Sequence, residues 1–208
     1  MVLGKLIDFI LHVDTYLSAI IQNYGVATYL ILFLVIFCET GLVITPFLPG
    51  DSLIFAAGTF AASGMLNVFL LFVILVGAAI IGDSVNYAIG KYFGEQLFLK
   101  SRLIKQEHLD RTKGFYERHG GKTIIMARFV PIVRTFAPFV AGIGKMNYWK
   151  FFSYNVIGGL LWVAIFLFGG FYLGGLEFVK HNLTYVIFGI IFVSILPPII
   201  EYFRMRKK

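Results

Sequence analysis

Residues 122–146, KTIIMARFVPIVRTFAPFVAGIGKM, are apolar enough to enter a lipid bilayer, yet they hold Arg128, Arg134, Pro131 and Pro138. An ordinary spanning helix does not accept this combination. A charged side chain at membrane depth is expensive, so it faces a cavity or a partner rather than lipid. Each proline removes a backbone donor and disturbs the helix one turn earlier. Irregular backbone at that depth survives only where protein or trapped water satisfies it. The stretch therefore reads as a broken, re-entrant segment that keeps two guanidinium groups inside the membrane.

The rest of the chain fits a bilayer. Of its 208 residues 59% are hydrophobic and 14% charged, which is too apolar for a soluble domain of this size. The formal charge of +7 raises nucleic acid as a partner. The basic residues, however, cluster at 91–122 and in the tail from Arg204 to Lys208, flanking apolar runs. That is the pattern of membrane topology and anionic lipid contact, and no nucleic-acid partner is expected. Cys38 is the only cysteine, so no intrachain disulfide can form. The first residues, interrupted by Asp8, His12 and Asp14, do not resemble a cleavable signal.

In chain order, 1–23 has helical spacing with a polar face and is expected to lie along the interface. Residues 24–64 run apolar to Glu39, break at Pro46, Pro49 and Gly50, and return through a short arm opened by Asp51 and Ser52. This is a second hairpin, with Glu39 and Asp51 near its tip. A spanning helix is expected over 66–93, with Asp83, Asn86 and Tyr87 on one face. Residues 95–121 form a basic amphipathic segment whose His108 and His119 lack the spacing of a metal pair. Two further spans, 148–175 and 183–203, follow the hairpin at 122–146, the first bearing Asn155.

The two halves are alike. AAG (56–58) matches VAG (140–142) at the end of each hairpin, and GKYFG (90–94) matches GFYLG (170–174) at the end of each span. A hairpin returns to its own side, so each half crosses once and the second half is inverted. Such repeats, with discontinuous helices meeting near the midplane, are a transporter architecture. With both hairpins re-entrant, the basic loop 95–121 and the basic tail fall on one side, which the positive-inside rule assigns to the cytoplasm. The expected fold is a single-domain, all-α integral membrane protein. It is built as an inverted repeat of two re-entrant hairpins, spanning helices and amphipathic interfacial helices.

These residues resemble the DedA family, also described as the SNARE-associated or VTT-domain family. The resemblance rests on ET…PFLPGDSL (39–53), GDSVNYAIGKYFG (82–94) and FYERHGGKTIIMARFVPIVRTFAPFVAG (115–142), with Asn155, Gly158 and Trp162 following. It implies a multi-pass protein of the bacterial plasma membrane that moves phospholipid-type molecules. Family members include translocases that recycle undecaprenyl phosphate for cell-wall synthesis, and others linked to phosphatidylethanolamine or to scrambling. It also implies functional roles for Glu39, Asp51, Arg128 and Arg134.

The chemistry of these residues agrees. Guanidinium is planar, permanently charged and matched to phosphate. Arg128 and Arg134, separated by a proline break, are expected to converge on one headgroup. Glu39 and Asp51 are candidates for coupling proton movement to transport, or for simply neutralising the arginines. Asp83, Asn86, Ser52, Thr135 and Asn155 are secondary candidates. No cofactor or metal is expected, and a homo-oligomer is left open. An enzyme is not expected. The chain departs from the phosphatase motifs: Arg128 is not followed by proline, and Thr112 stands where the third motif needs Asp. The alternatives to lipid-phosphate translocation are a flippase or scramblase for glycerophospholipid and a proton-coupled ion antiporter.

Overall fold

The computed structural model describes residues 13–42, 50–101 and 120–177, with 179, 182, 185, 186 and 189. Among these residues the fold is all helical: α1 (Val13–Tyr24), α2 (Ala27–Gly41), α3 (Gly50–Ala62), α4 (Val68–Ser101), α5 (Lys122–Ala127), α6 (Pro131–Ile143) and α7 (Tyr148–Gly174). Several expectations lie outside the described residues. They are the N-terminal part of the interfacial helix, the Pro46 and Pro49 apex, the segment 102–119 with His108 and His119, and nearly all of 183–203 with the tail.

Two helices, Val68–Gly94 and Tyr148–Gly174, are long and apolar enough to cross a membrane. Both start in the same way. Asn67 Oδ1 accepts from Leu70 N at 3.0 Å, and Asn147 Oδ1 accepts from Lys150 N at 3.2 Å. Each asparagine thereby satisfies a backbone donor that the first helical turn leaves open. The expected span 66–93 agrees with the apolar stretch Val68–Gly94, and α4 continues past it to Ser101. Residues 95–101 (EQLFLKS) contain no proline or glycine, so the polar composition there changes the surface without stopping the helix. The loop 63–67 turns at Gly64, whose φ of +79° suits glycine.

The chain divides into two compact units that do not follow the sequence halves. The first comprises residues up to 35, 47–76 and from 162 onward; the second comprises 36–46 and 77–161. Thus α4 and α7 each belong partly to both.

In the first unit α1 packs on α3, and α3 lies against the second half of α7. The contact with α7 is backbone to backbone. A Cβ added at Gly58 would overlap the carbonyl of Leu167, one at Gly170 the carbonyl of Phe55, and one at Gly174 the backbone of Thr59. Thr59 Oγ1 donates to Phe55 O at 3.2 Å and to Gly170 O at 3.4 Å. Trp162, Leu167, Ile54 and Leu71 are buried around this seam.

In the second unit α6 lies against α4 through the corresponding residues. A Cβ at Gly142 would overlap the carbonyl of Tyr87, one at Gly90 the carbonyl of Phe139, and one at Gly94 the side chain of Ile143. Tyr87, Ile124, Ala127, Ala137, Ala141 and Phe151 form the core, with the Tyr87 and Phe151 rings stacked at 4.5 Å. The matches AAG/VAG and GKYFG/GFYLG therefore mark two equivalent glycine seams. Small residues let helix backbones approach closely where lipid offers no hydrophobic drive for association. One seam joins α3 to α7 and the other joins α6 to α4, so each pairs a helix from one half of the sequence with a long apolar helix from the other.

Candidate functional site

The break that separates the two arginines is dictated by Pro131. The residue before a proline is driven away from the helical region, and Val130 is extended at φ −119°, ψ 104°. The last donors of α5 tighten to three-residue steps: Arg128 N to Ile125 O, Phe129 N to Met126 O and Val130 N to Ala127 O. Pro131 then opens α6, where a missing N–H does no harm. Pro138 lies inside α6 without ending it; it has no N–H to offer the carbonyl of Arg134. The helix–break–helix reading of 122–146 holds, with α5 packed on α6.

One stripe of α4 holds the α5–α6 segment. Ala79, Asp83, Asn86, Tyr87, Gly90 and Gly94 recur at three- and four-residue steps and share a face. Gly90 and Gly94 make the seam. Tyr87 donates its hydroxyl to the carbonyl of Met146, just past the C-terminal end of α6. Asn86 Nδ2 donates to Thr135 O at 2.8 Å and to Thr40 O at 3.0 Å. Asp83 accepts from Arg128 in a buried ion pair.

Arg128 pairs with Asp83, and Arg134 with Glu39. Arg128 Nη2 meets Asp83 Oδ2 and Asn155 Oδ1, with Ala79 O at 3.4 Å. Asn155 is itself held, its Nδ2 donating to Ile80 O at 3.0 Å and Ser84 Oγ at 3.5 Å. Arg134 pairs with Glu39 in the last turn of α2. Arg128, Arg134, Glu39 and Asp83 are all buried, so the second unit encloses two cations balanced by two anions. Paired burial is what such charges require; either one alone would be strongly unfavourable.

Asp51 belongs to the first unit. It stands in the first turn of α3, where a carboxylate complements the helix dipole, and it accepts from Trp162 Nε1 at 2.9 Å. Ser52 beside it is buried, and its Oγ has no hydrogen-bond partner among the described residues. The second unit accordingly gathers Glu39, Arg128 and Arg134 with Asp83, Asn86, Thr135 and Asn155, while Asp51 and Ser52 lie in the first. Two roles were missed in the sequence. Trp162 enters there only among the positions that resemble the family; it is buried, and its ring N–H serves Asp51. Asp83 ranks there below Glu39 and Asp51, yet it is the partner of Arg128. Its place one turn before Asn86 on an apolar helix was the available signal.

These features define a helical membrane protein with a paired-charge interior. The VTT domain model matches residues 48–172. The chain is 57% identical over 206 residues to Protein DedA of Escherichia coli (strain K12), covering 97% of this chain and 94% of that one. It is 42% identical over 168 residues to an uncharacterized membrane protein of Mycobacterium leprae (80% and 75% covered). It is also 33% identical over 171 residues to Inner membrane protein YghB of Escherichia coli (81% and 77% covered). No solved structure matches the chain. The chain belongs to the VTT-domain, or DedA, family of membrane proteins.

Proposed function

We propose that this protein is a translocase for a lipid phosphate, moving the headgroup through the bilayer while the chain stays in lipid. The observation that carries this reading is the Arg134–Glu39 pair, a buried guanidinium already matched to an oxyanion at the junction of two helix ends. A phosphate, like a carboxylate, presents two oxygens to one guanidinium and carries more charge, so it can take the place of Glu39 on Arg134. A carboxylate released from its arginine in an apolar interior gains a proton more readily, which links lipid movement to proton movement.

The resemblance to DedA proteins points to undecaprenyl phosphate as the lipid. On this reading both hairpins are re-entrant, the protein is multi-pass in the bacterial plasma membrane, and the basic segment 95–121 faces the cytoplasm. Nothing in the chemistry calls for a reaction on the substrate, so the activity is transport rather than catalysis.

The test is reconstitution. Purified protein in liposomes should carry a fluorescent polyprenyl phosphate between leaflets, and Arg134→Gln should abolish this while still inserting. Movement of phosphatidylethanolamine with no preference for the polyprenyl phosphate would favour the glycerophospholipid alternative. A proton flux indifferent to either lipid would favour an ion antiporter.

A further inference from the structure

We propose that Asp83 and Asn155 are positioning residues that fix Arg128 as a bracket between α4, the break at 128–130 and α7, leaving Arg134 to exchange its carboxylate for phosphate. This rests on the lipid-phosphate reading and divides the work of its two arginines.

Arg128 is held from two long helices at once. Asp83 and the carbonyl of Ala79 belong to α4, and Asn155 to α7. Asn155 cannot turn away without giving up Ile80 O and Ser84 Oγ, so it presents its oxygen in a fixed direction. The slot is cut to the side chain. A Cβ at Gly158 would stand 3.0 Å from Arg128 Cδ and 3.2 Å from Nε, and one at Gly159 would stand 3.7 Å from Nη2. Glycine at 158 lets α7 close over the Arg128 side chain, while a Cβ at 159 would only rest against the guanidinium.

Turning Arg128 Nη2 to a phosphate would release both helices together. Asp83, Asn155 and the Ala79 carbonyl would then be buried without its hydrogens, the situation that buried polar groups avoid most strongly. The Arg134–Glu39 pair is placed differently. Glu39 is in the last turn of α2 and Arg134 in the first turn of α6, immediately after the break that Arg128 anchors. Arg134 N donates to Val130 O at 2.9 Å, so its place follows that of the break. A bracket at Arg128 thus sets where Arg134 stands while Arg134 changes partner.

A buried ion pair used only as a bracket can be replaced by apolar residues of similar size, whereas a phosphate ligand cannot. The experiment compares Asp83→Leu, Arg128→Met, the two combined, and Glu39→Leu combined with Arg134→Met. Two quantities are read: the melting midpoint in detergent and transport of a fluorescent polyprenyl phosphate in liposomes. Each single variant should melt lower and transport poorly. The Asp83→Leu/Arg128→Met double should melt above either single, short of wild type by what Asn155 Oδ1 and Ala79 O lose, and regain at least about tenfold in transport over either single. Its KM should lie within about threefold of wild type, because the group that touches phosphate is untouched. The Glu39→Leu/Arg134→Met double should melt well and carry nothing.

An Asp83→Leu/Arg128→Met double that melts above its singles but does not transport places Arg128 on the phosphate and overturns the proposal. A double no more stable than its singles overturns the bracket. If wild type itself moves no polyprenyl phosphate, the lipid-phosphate reading falls and the exchange at Arg134 falls with it. The melting comparison then decides the bracket alone.

Discussion

Asn86 and Thr135 are joined by a 2.8 Å hydrogen bond from side-chain amide to backbone carbonyl, and the same Nδ2 reaches Thr40 at 3.0 Å. Thr40 follows Glu39 and Thr135 follows Arg134. One amide therefore ties together the two backbone segments whose side chains form the ion pair.

Replacing Asn86 with leucine should keep the volume and lose both bonds. Leaving a buried carbonyl without its donor costs about 1–3 kcal/mol, so the melting midpoint should fall clearly. Transport should fall further than stability alone explains, because Glu39 and Arg134 lose their common tether. Chemical denaturation in detergent alongside transport assays checks both. Asn86→Leu with wild-type transport would remove the tether from the mechanism.

Breaking the Glu39–Arg134 pair from one side should be worse than removing it from both. Arg134→Met leaves Glu39 buried without its cation, a loss of about 3–5 kcal/mol, and adding Glu39→Leu should recover most of it. Thermal unfolding of the single and double variants measures the difference.

The glycine seams give a matched pair of tests. Gly58→Ala and Gly142→Ala should each destabilise by about 1–3 kcal/mol, because the new methyl meets backbone that cannot swing aside. Gly77→Ala, also in α4, meets nothing within 4 Å and should be neutral or stabilising by up to about 1 kcal/mol. Equal effects at all three sites, read by unfolding in detergent, would contradict equivalent seams.

The two tryptophans should report opposite surroundings. Trp149 is 72% exposed and Trp162 is fully buried. In liposomes, brominated lipid should quench Trp149 in a Trp162→Phe variant and leave Trp162 largely unquenched in a Trp149→Phe variant. Trp162→Phe should also destabilise by about 1.5–3 kcal/mol, since Asp51 loses a donor to a charged acceptor.

Much of this arrangement was legible in the chain. Pro131 announces the break because its effect on Val130 is local and steric. Asp83, Asn86 and Tyr87 announce a shared face because helical periodicity is fixed. The short matches around Gly58, Gly142, Gly90 and Gly170 announced a repeat. What stayed hidden was pairing. Nothing local assigns Arg128 to Asp83 rather than to Glu39 or Asp51, since the choice depends on which helices cross. The role of Trp162 was hidden for the same reason: an indole N–H finds Asp51 across a long stretch of chain, and the surrounding apolar run reads simply as core.

Each seam joins helices far apart in the sequence, α3 to α7 and α4 to α6, and this has a consequence for biosynthesis. When the ribosome has completed α3, the second half of α7 that covers it has not yet been made. Gly58 must stay uncovered until most of the chain has emerged. Neither half of the sequence can complete its packing alone, so fragments cut between 101 and 120 should be recognised as orphans and degraded when expressed singly, and be protected when expressed together.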